Sequence, residues 1–115
     1  MPNQQAALDQ VFYALADPTR RAVVRRLSKG PASVSELAKP FKMALPSFLQ
    51  HVEVLERSGL IKTKKVGRVR RCEFAPVRLK AAEKWMTAQR SLWERRLDRL
   101  DDYLNALDPA TEQSR

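Results

Sequence analysis

The chain has 115 residues, 43% of them hydrophobic and 30% charged, and carries a formal net charge of +9. That length suits one domain with a core of its own, and the density of charge excludes a membrane-embedded protein. A balance this basic points to a polyanionic partner, because Lys and Arg neutralise phosphates and release their counterions, although a merely cationic protein has the same composition.

The single cysteine, Cys72, rules out an intramolecular disulfide and suits a reducing cytosol. The opening MPNQQAALDQ has neither a basic leader nor an apolar run, so a cytoplasmic protein without membrane contact is expected.

Leu8, Val11, Phe12 and Leu15 recur at i, i+3, i+4 and i+7, one apolar face of a first helix. Pro18 pushes Asp17 out of the α region and ends it. The same pair opens a second helix, with Asp17 as N-cap and Pro18 in the first turn. Ala22, Val23 and Leu27 give that helix its buried side, and Gly30-Pro31 closes it. Ser33-Val34-Ser35-Glu36 reads as a capping box opening a short third helix that Pro40 stops. A turn, Phe41-Lys42-Met43, leads into a fourth helix with the stripe Leu45, Phe48, Val52 and Leu55. Gly59 ends it as a left-handed cap.

From Leu60 to Phe74 the period changes to rough alternation, split by Val66-Gly67-Arg68, which predicts a two-stranded hairpin with Cys72 and Phe74 on one face and Arg71 and Glu73 on the other. Within it, residues 61–72 hold six basic side chains and no acid. Helical periodicity returns from Val77 to about Leu107, before Asp108-Pro109 and a polar tail. The expected fold is mainly α with a small β-hairpin: a single winged helix-turn-helix domain over 1–115. The helix-turn-helix covers about 33–58, the wing about 60–74 and a last helix about 77–107.

This arrangement gives the charge a purpose. The fourth helix enters a major groove of double-stranded DNA while the hairpin follows the backbone or the adjacent minor groove. Lys64, Lys65, Arg68 and Arg70 are the candidate phosphate contacts of the wing, with Lys42 in the turn. Ser47, Gln50 and His51 are the candidates on the helix, Gln50 suiting adenine. The last helix is too long to bury its stripe on one small domain. A two-fold homodimer is therefore expected, through Leu8, Phe12 and Leu15 of the first helix and Trp93, Leu97, Leu100 and Leu104 of the last.

The run Ala14-Leu15-Ala16-Asp17-Pro18-Thr19-Arg20-Arg21 resembles the junction of the first two helices in the arsenic-repressor (ArsR/SmtB) family of bacterial transcription regulators. So do Ser33-Val34-Ser35-Glu36-Leu37-Ala38, His51-Val52-Glu53-Val54-Leu55-Glu56, Ser58-Gly59-Leu60-Ile61 and the Gly67-Arg68 wing. Trp85, Trp93-Glu94, Leu97-Asp98 and Leu100 resemble a branch with a long tryptophan-bearing last helix. The resemblance implies a homodimeric repressor that binds an inverted-repeat operator and releases it on a chemical signal, here an unknown effector. Ser33-Val34-Ser35 stands where metal-sensing members carry cysteines, and the last helix has no histidine, so no metal or other cofactor is expected. His51 then reads equally as a helix-packing residue, and Cys72 as a core residue. Leu49 and Ala44 stand where serines are common.

The sequence has no nucleophile–base pair, paired-carboxylate cleft or glycine-rich phosphate loop, so an enzyme with catalytic residues is not expected. The alternatives are a non-specific or architectural nucleic-acid binder and a metal- or redox-responsive repressor.

Overall fold

The computed structural model describes residues 4–107, so the expected ending at Asp108-Pro109 lies outside the described residues. The elements run α1 (Gln4–Leu15), α2 (Pro18–Leu27), β1 (Ala32–Ser33), α3 (Val34–Ala38), α4 (Leu45–Arg57), β2 (Ile61–Val66), β3 (Val69–Phe74) and α5 (Pro76–Leu107). The described residues divide into two compact units, the break falling after Ala82. Among them no helix is long and apolar enough to cross a membrane.

In the first unit, Val11, Val23, Leu27, Leu37, Phe48, Val52, Leu55, Leu60, Ile61 and Cys72 form one core, with Leu79 and Ala82 from the start of α5. Leu8, Phe12 and Leu15 pack half-buried against it.

The α1–α2 corner follows from local chemistry. Asp17 adopts an extended conformation and its carboxylate accepts from the Arg20 amide at 3.1 Å, with Pro18 at the start of α2. The exposed carbonyls at the end of α1 are then met by α2 itself. Arg20 is buried; its Nε donates to the Ala14 carbonyl at 2.8 Å and a terminal nitrogen to the Tyr13 carbonyl at 2.9 Å. Its guanidinium also lies 5.0 Å from the centre of the Tyr13 ring. Arg21 reaches the Leu15 carbonyl at 2.8 Å. Two cations thus sit on the negative end of a helix dipole whose own last turn has none.

At α3 the expected capping box forms only by half. The Ser33 hydroxyl accepts from the Glu36 amide at 3.1 Å, but the Glu36 carboxylate lies 3.9 Å from Arg26 instead of reaching back. Phe41 stacks on Phe48 with ring centroids 5.6 Å apart, which pins the turn between α3 and α4. Leu45, expected in the buried stripe of α4, is 53% exposed because it stands in the first turn, short of the core.

Gly59, at φ +80°, closes α4 with the Gly59 amide on the Glu56 carbonyl and the Leu60 amide on the Leu55 carbonyl. This is a Schellman ending, and it turns the chain straight into β2. The sheet has three strands in the order β1-β3-β2, all antiparallel. The expected hairpin is β2 and β3; the added strand is two residues long and pairs Ala32 with Cys72 and Ser33 with Arg71. Gly67 (φ +64°) and a negative φ at Arg68 give the turn the pattern of a type II′ hairpin.

In the second unit, α5 exposes Trp85, Met86, Trp93, Leu97, Leu100, Tyr103, Leu104 and Leu107 by 47% to 61%. Trp93 carries Arg96 over its ring at 5.6 Å.

Arg20→Ala leaves two carbonyls of α1 without their charged donor and should cost about 2–4 kcal/mol in urea denaturation; a loss under about 0.5 kcal/mol would show that the corner does not depend on it. Burial pushes the Asp17 carboxyl up, but its hydrogen bond with the Arg20 amide and the charges of His51 and Arg20 outweigh this and hold it below the usual carboxylate value. A depressed folded value means that Asp17 stabilises the fold above its ordinary titration range and loses that contribution as pH falls through the folded value. Asp17→Asn should therefore remove stability at neutral pH and flatten the acid limb of the stability curve.

Candidate nucleic-acid interface

The exposed side of α4 carries Pro46, Ser47, Gln50, Glu53, Glu56 and Arg57. Its opposite side, Phe48, Val52 and Leu55, is fully buried. The strands β2 and β3 stand beside it. An open groove of about 740 Å³ runs between the two, lined by Pro46, Leu49, Gln50, Glu53, Glu56, Arg57 and Arg70.

The wing concentrates positive charge against its own interest. Its register puts Lys64 opposite Arg71 and Lys65 opposite Arg70, and like charges directly across a pair of strands are destabilising. Lys62 opposite Glu73 is the one cross-strand pair of opposite sign. Alternation places Lys65 and Arg70 on the face that continues from Thr63 and Cys72, and Lys64 and Arg71 on the other. Gly67 and Arg68 form the tip. Lys42, Lys64, Lys65 and Arg68 are exposed and form no ion pair among the described residues. Clustered cations of this kind favour an anionic surface.

The candidate residues from the sequence separate into three groups. Lys42, Ser47 and Gln50 are exposed on the turn and the first two turns of α4, and Lys64, Lys65 and Arg68 are exposed on the wing. Arg70 is engaged: it donates to Glu56 at 2.9 Å, and the same carboxylate oxygen accepts from the Thr63 hydroxyl at 3.1 Å. Glu56 thereby ties the last turn of α4 to both strands. His51 is turned inward. Its Nδ1 lies 3.1 Å from an Arg20 nitrogen and 3.8 Å from the Asp17 carboxylate. Since Arg can only donate, Nδ1 accepts from Arg20 when the ring is neutral, and faces the Asp17 carboxylate when it is charged.

The open face of α4 is thus set further toward the wing than expected. His51 is half-buried, with Val54, on the side covered by α1 and α2, and Glu53 and Arg57 stand in the open. Glu53 and Arg57 are joined at 2.6 Å. Sequence reasoning passed over both; their i, i+4 spacing and their alignment with Gln50 were the available signals. The start of α4 has no side-chain cap, as Ala44 offers no acceptor, and this leaves first-turn amides open to an anion.

Cys72 is fully buried, and burial pushes its thiol pKa up. Such a thiol is a poor nucleophile and a poor redox sensor. Among the described residues no group of three or more His, Cys, Asp and Glu side chains could hold a metal ion.

Comparison with known proteins agrees with this geometry. The protein-family model described as a helix-turn-helix domain matches residues 15–64. The HTH-type transcriptional regulator Rv2034 of Mycobacterium tuberculosis is 40% identical over 73 residues, which cover 64% of this chain and 68% of that protein. The crystal structure of the ArsR family transcriptional regulator RHA00566 is 56% identical and superposes with a TM-score of 0.76, over 82% of this chain and 97% of that one. A homodimeric winged helix-turn-helix DNA-binding domain, Mb0332 from Mycobacterium bovis, is 26% identical with a TM-score of 0.57, over 80% of this chain and 91% of that one. With a basic wing beside an exposed helix of a helix-turn-helix, and relatives this similar over most of their length, the chain belongs to the ArsR family of winged helix-turn-helix transcriptional regulators.

Proposed function

We propose that the chain is a homodimeric repressor that binds a specific inverted-repeat operator in double-stranded DNA and does not sense a metal. The observation that carries this reading is the placement of unpaired wing cations beside the open face of α4. Lys64, Lys65 and Arg68, with Lys42 in the turn before α4, contact phosphates and fix the register, while Ser47 and Gln50 meet base edges.

The dimer rests on α5. Trp93, Leu97, Leu100 and Leu104 are each more than half exposed on one stripe, and covering each gains roughly half of the 1.5–3 kcal/mol that complete burial of such a side chain is worth. The same stripe of a second copy is the natural cover, and the relative Mb0332 is homodimeric. Leu8, Phe12 and Leu15 of α1 already pack on their own core and add their remaining exposed surface to the dimer. Two copies then present two α4 helices to half-sites about one DNA turn apart. Metal insensitivity is supported by the donor set, since the one histidine is engaged by Arg20 and the one thiol is buried and held protonated.

Operator affinity measured by fluorescence anisotropy should fall steeply with salt. With these four cations of each subunit on phosphates, the log–log slope approaches about −7 for the dimer, at ~0.9 per phosphate. Lys65→Ala with Arg68→Ala should weaken all duplexes alike and flatten that slope by about 3 to 4. Gln50→Ala should leave the slope intact and cost about 1–3 kcal/mol on the operator only. Equal affinity for operator and unrelated duplex would instead indicate a non-specific binder. Leu97→Glu with Leu100→Glu should convert the dimer to a folded monomer in sedimentation equilibrium; a wild-type chain that is monomeric at high concentration would refute the assembly.

A further inference from the structure

Gln50, Glu53 and Arg57 fall at i, i+3 and i+7 and so share one line along α4. All three line the groove facing the wing. A carboxylate on a surface built for phosphates is repelled by the ligand, and the two acids of α4 escape this in different ways. Glu56 is committed to the wing through Arg70 and Thr63. Glu53 is 56% exposed and bonded only to Arg57, at 2.6 Å through Oε1, so its second oxygen makes no hydrogen bond among the described residues.

We propose that the Glu53–Arg57 pair reads a C·G base pair in each half-site, Glu53 accepting from the cytosine amino group and Arg57 donating to the guanine of the same pair. The inference rests on the reading of α4 as the helix that enters the major groove. An ionised glutamate can only accept hydrogen bonds. In the major groove only cytosine N4 and adenine N6 donate, and adenine sets its N7 acceptor beside N6, where it repels a carboxylate. Guanine offers acceptors alone, as does thymine with its methyl group. Cytosine is the base that remains. Its partner guanine presents O6 and N7, the preferred target of an arginine fork. Side chains lean toward the helix N-terminus, so Arg57 reaches back to the level of Glu53. Gln50 lies about 4.5 Å away along the axis, at 1.5 Å per residue, close to one base-pair step of about 3.4 Å. The pair therefore occupies the position next to the one Gln50 reads.

The test is selection of bound sequences from a random duplex pool by the full-length wild-type and Glu53→Gln proteins, followed by titration of single-base variants of the recovered site. The wild type should recover a dyad with one fixed cytosine per half-site, at least about 5-fold preferred over the other bases. Glu53→Gln should lose that preference or move it to adenine, with the other positions and the salt slope unchanged. A dyad without a fixed cytosine, or the same cytosine retained by Glu53→Gln, would overturn the inference while leaving the operator-binding reading intact. A wild-type pool with no dyad would overturn both. Circular dichroism of Glu53→Gln, an exposed substitution, checks that the variant is folded.

Discussion

One guanidinium fixes how α4 sits on the rest of the first unit. Arg20 is buried where three helices meet, donating to the last carbonyls of α1, stacking on Tyr13 and meeting His51 on α4. A buried arginine is costly unless each of its faces is used, and here the carbonyl ends of one helix and an imidazole lone pair use them. The same contact decides which side of α4 faces out. With His51 drawn inward, the line of Gln50, Glu53 and Arg57 is presented to the groove beside the wing.

The wing is the second half of the arrangement, and its energetics run opposite to those of the corner. The corner satisfies its charges internally; the wing leaves them unsatisfied, pairing Lys64 with Arg71 and Lys65 with Arg70 across the strands. Glu56 relieves a part of this by binding Arg70, and in doing so braces the wing against α4. What remains is a cationic blade of defined orientation. Such a surface gains most from a polyanion whose charges repeat at fixed spacing, because contacts to successive phosphates add.

Much of this was legible in the sequence where the chemistry is local. Asp17-Pro18 marks a helix boundary by sterics and capping, and Gly59 marks another by its positive φ. The alternation around Cys72 and Phe74 gave the buried side of the hairpin correctly. What escaped was long-range. The strand Ala32–Ser33 has no periodicity of its own and is defined only by its pairing with β3. Arg20 reads as one more surface cation until the end of α1 is folded against it. The inward turn of His51 depends on a partner 31 residues away. Glu53 and Arg57 come to the open face because the inward turn of His51 rotates α4 toward the wing, a rotation set by that same distant contact.

The proposed function requires two copies of α4 to engage one operator. Footprinting of the purified protein on the DNA upstream of its own gene addresses this. Two protected half-sites related by a dyad, with centres about one helical turn apart, are the predicted result. Protection spread evenly over the fragment, or a single half-site protected at saturating protein, would contradict it.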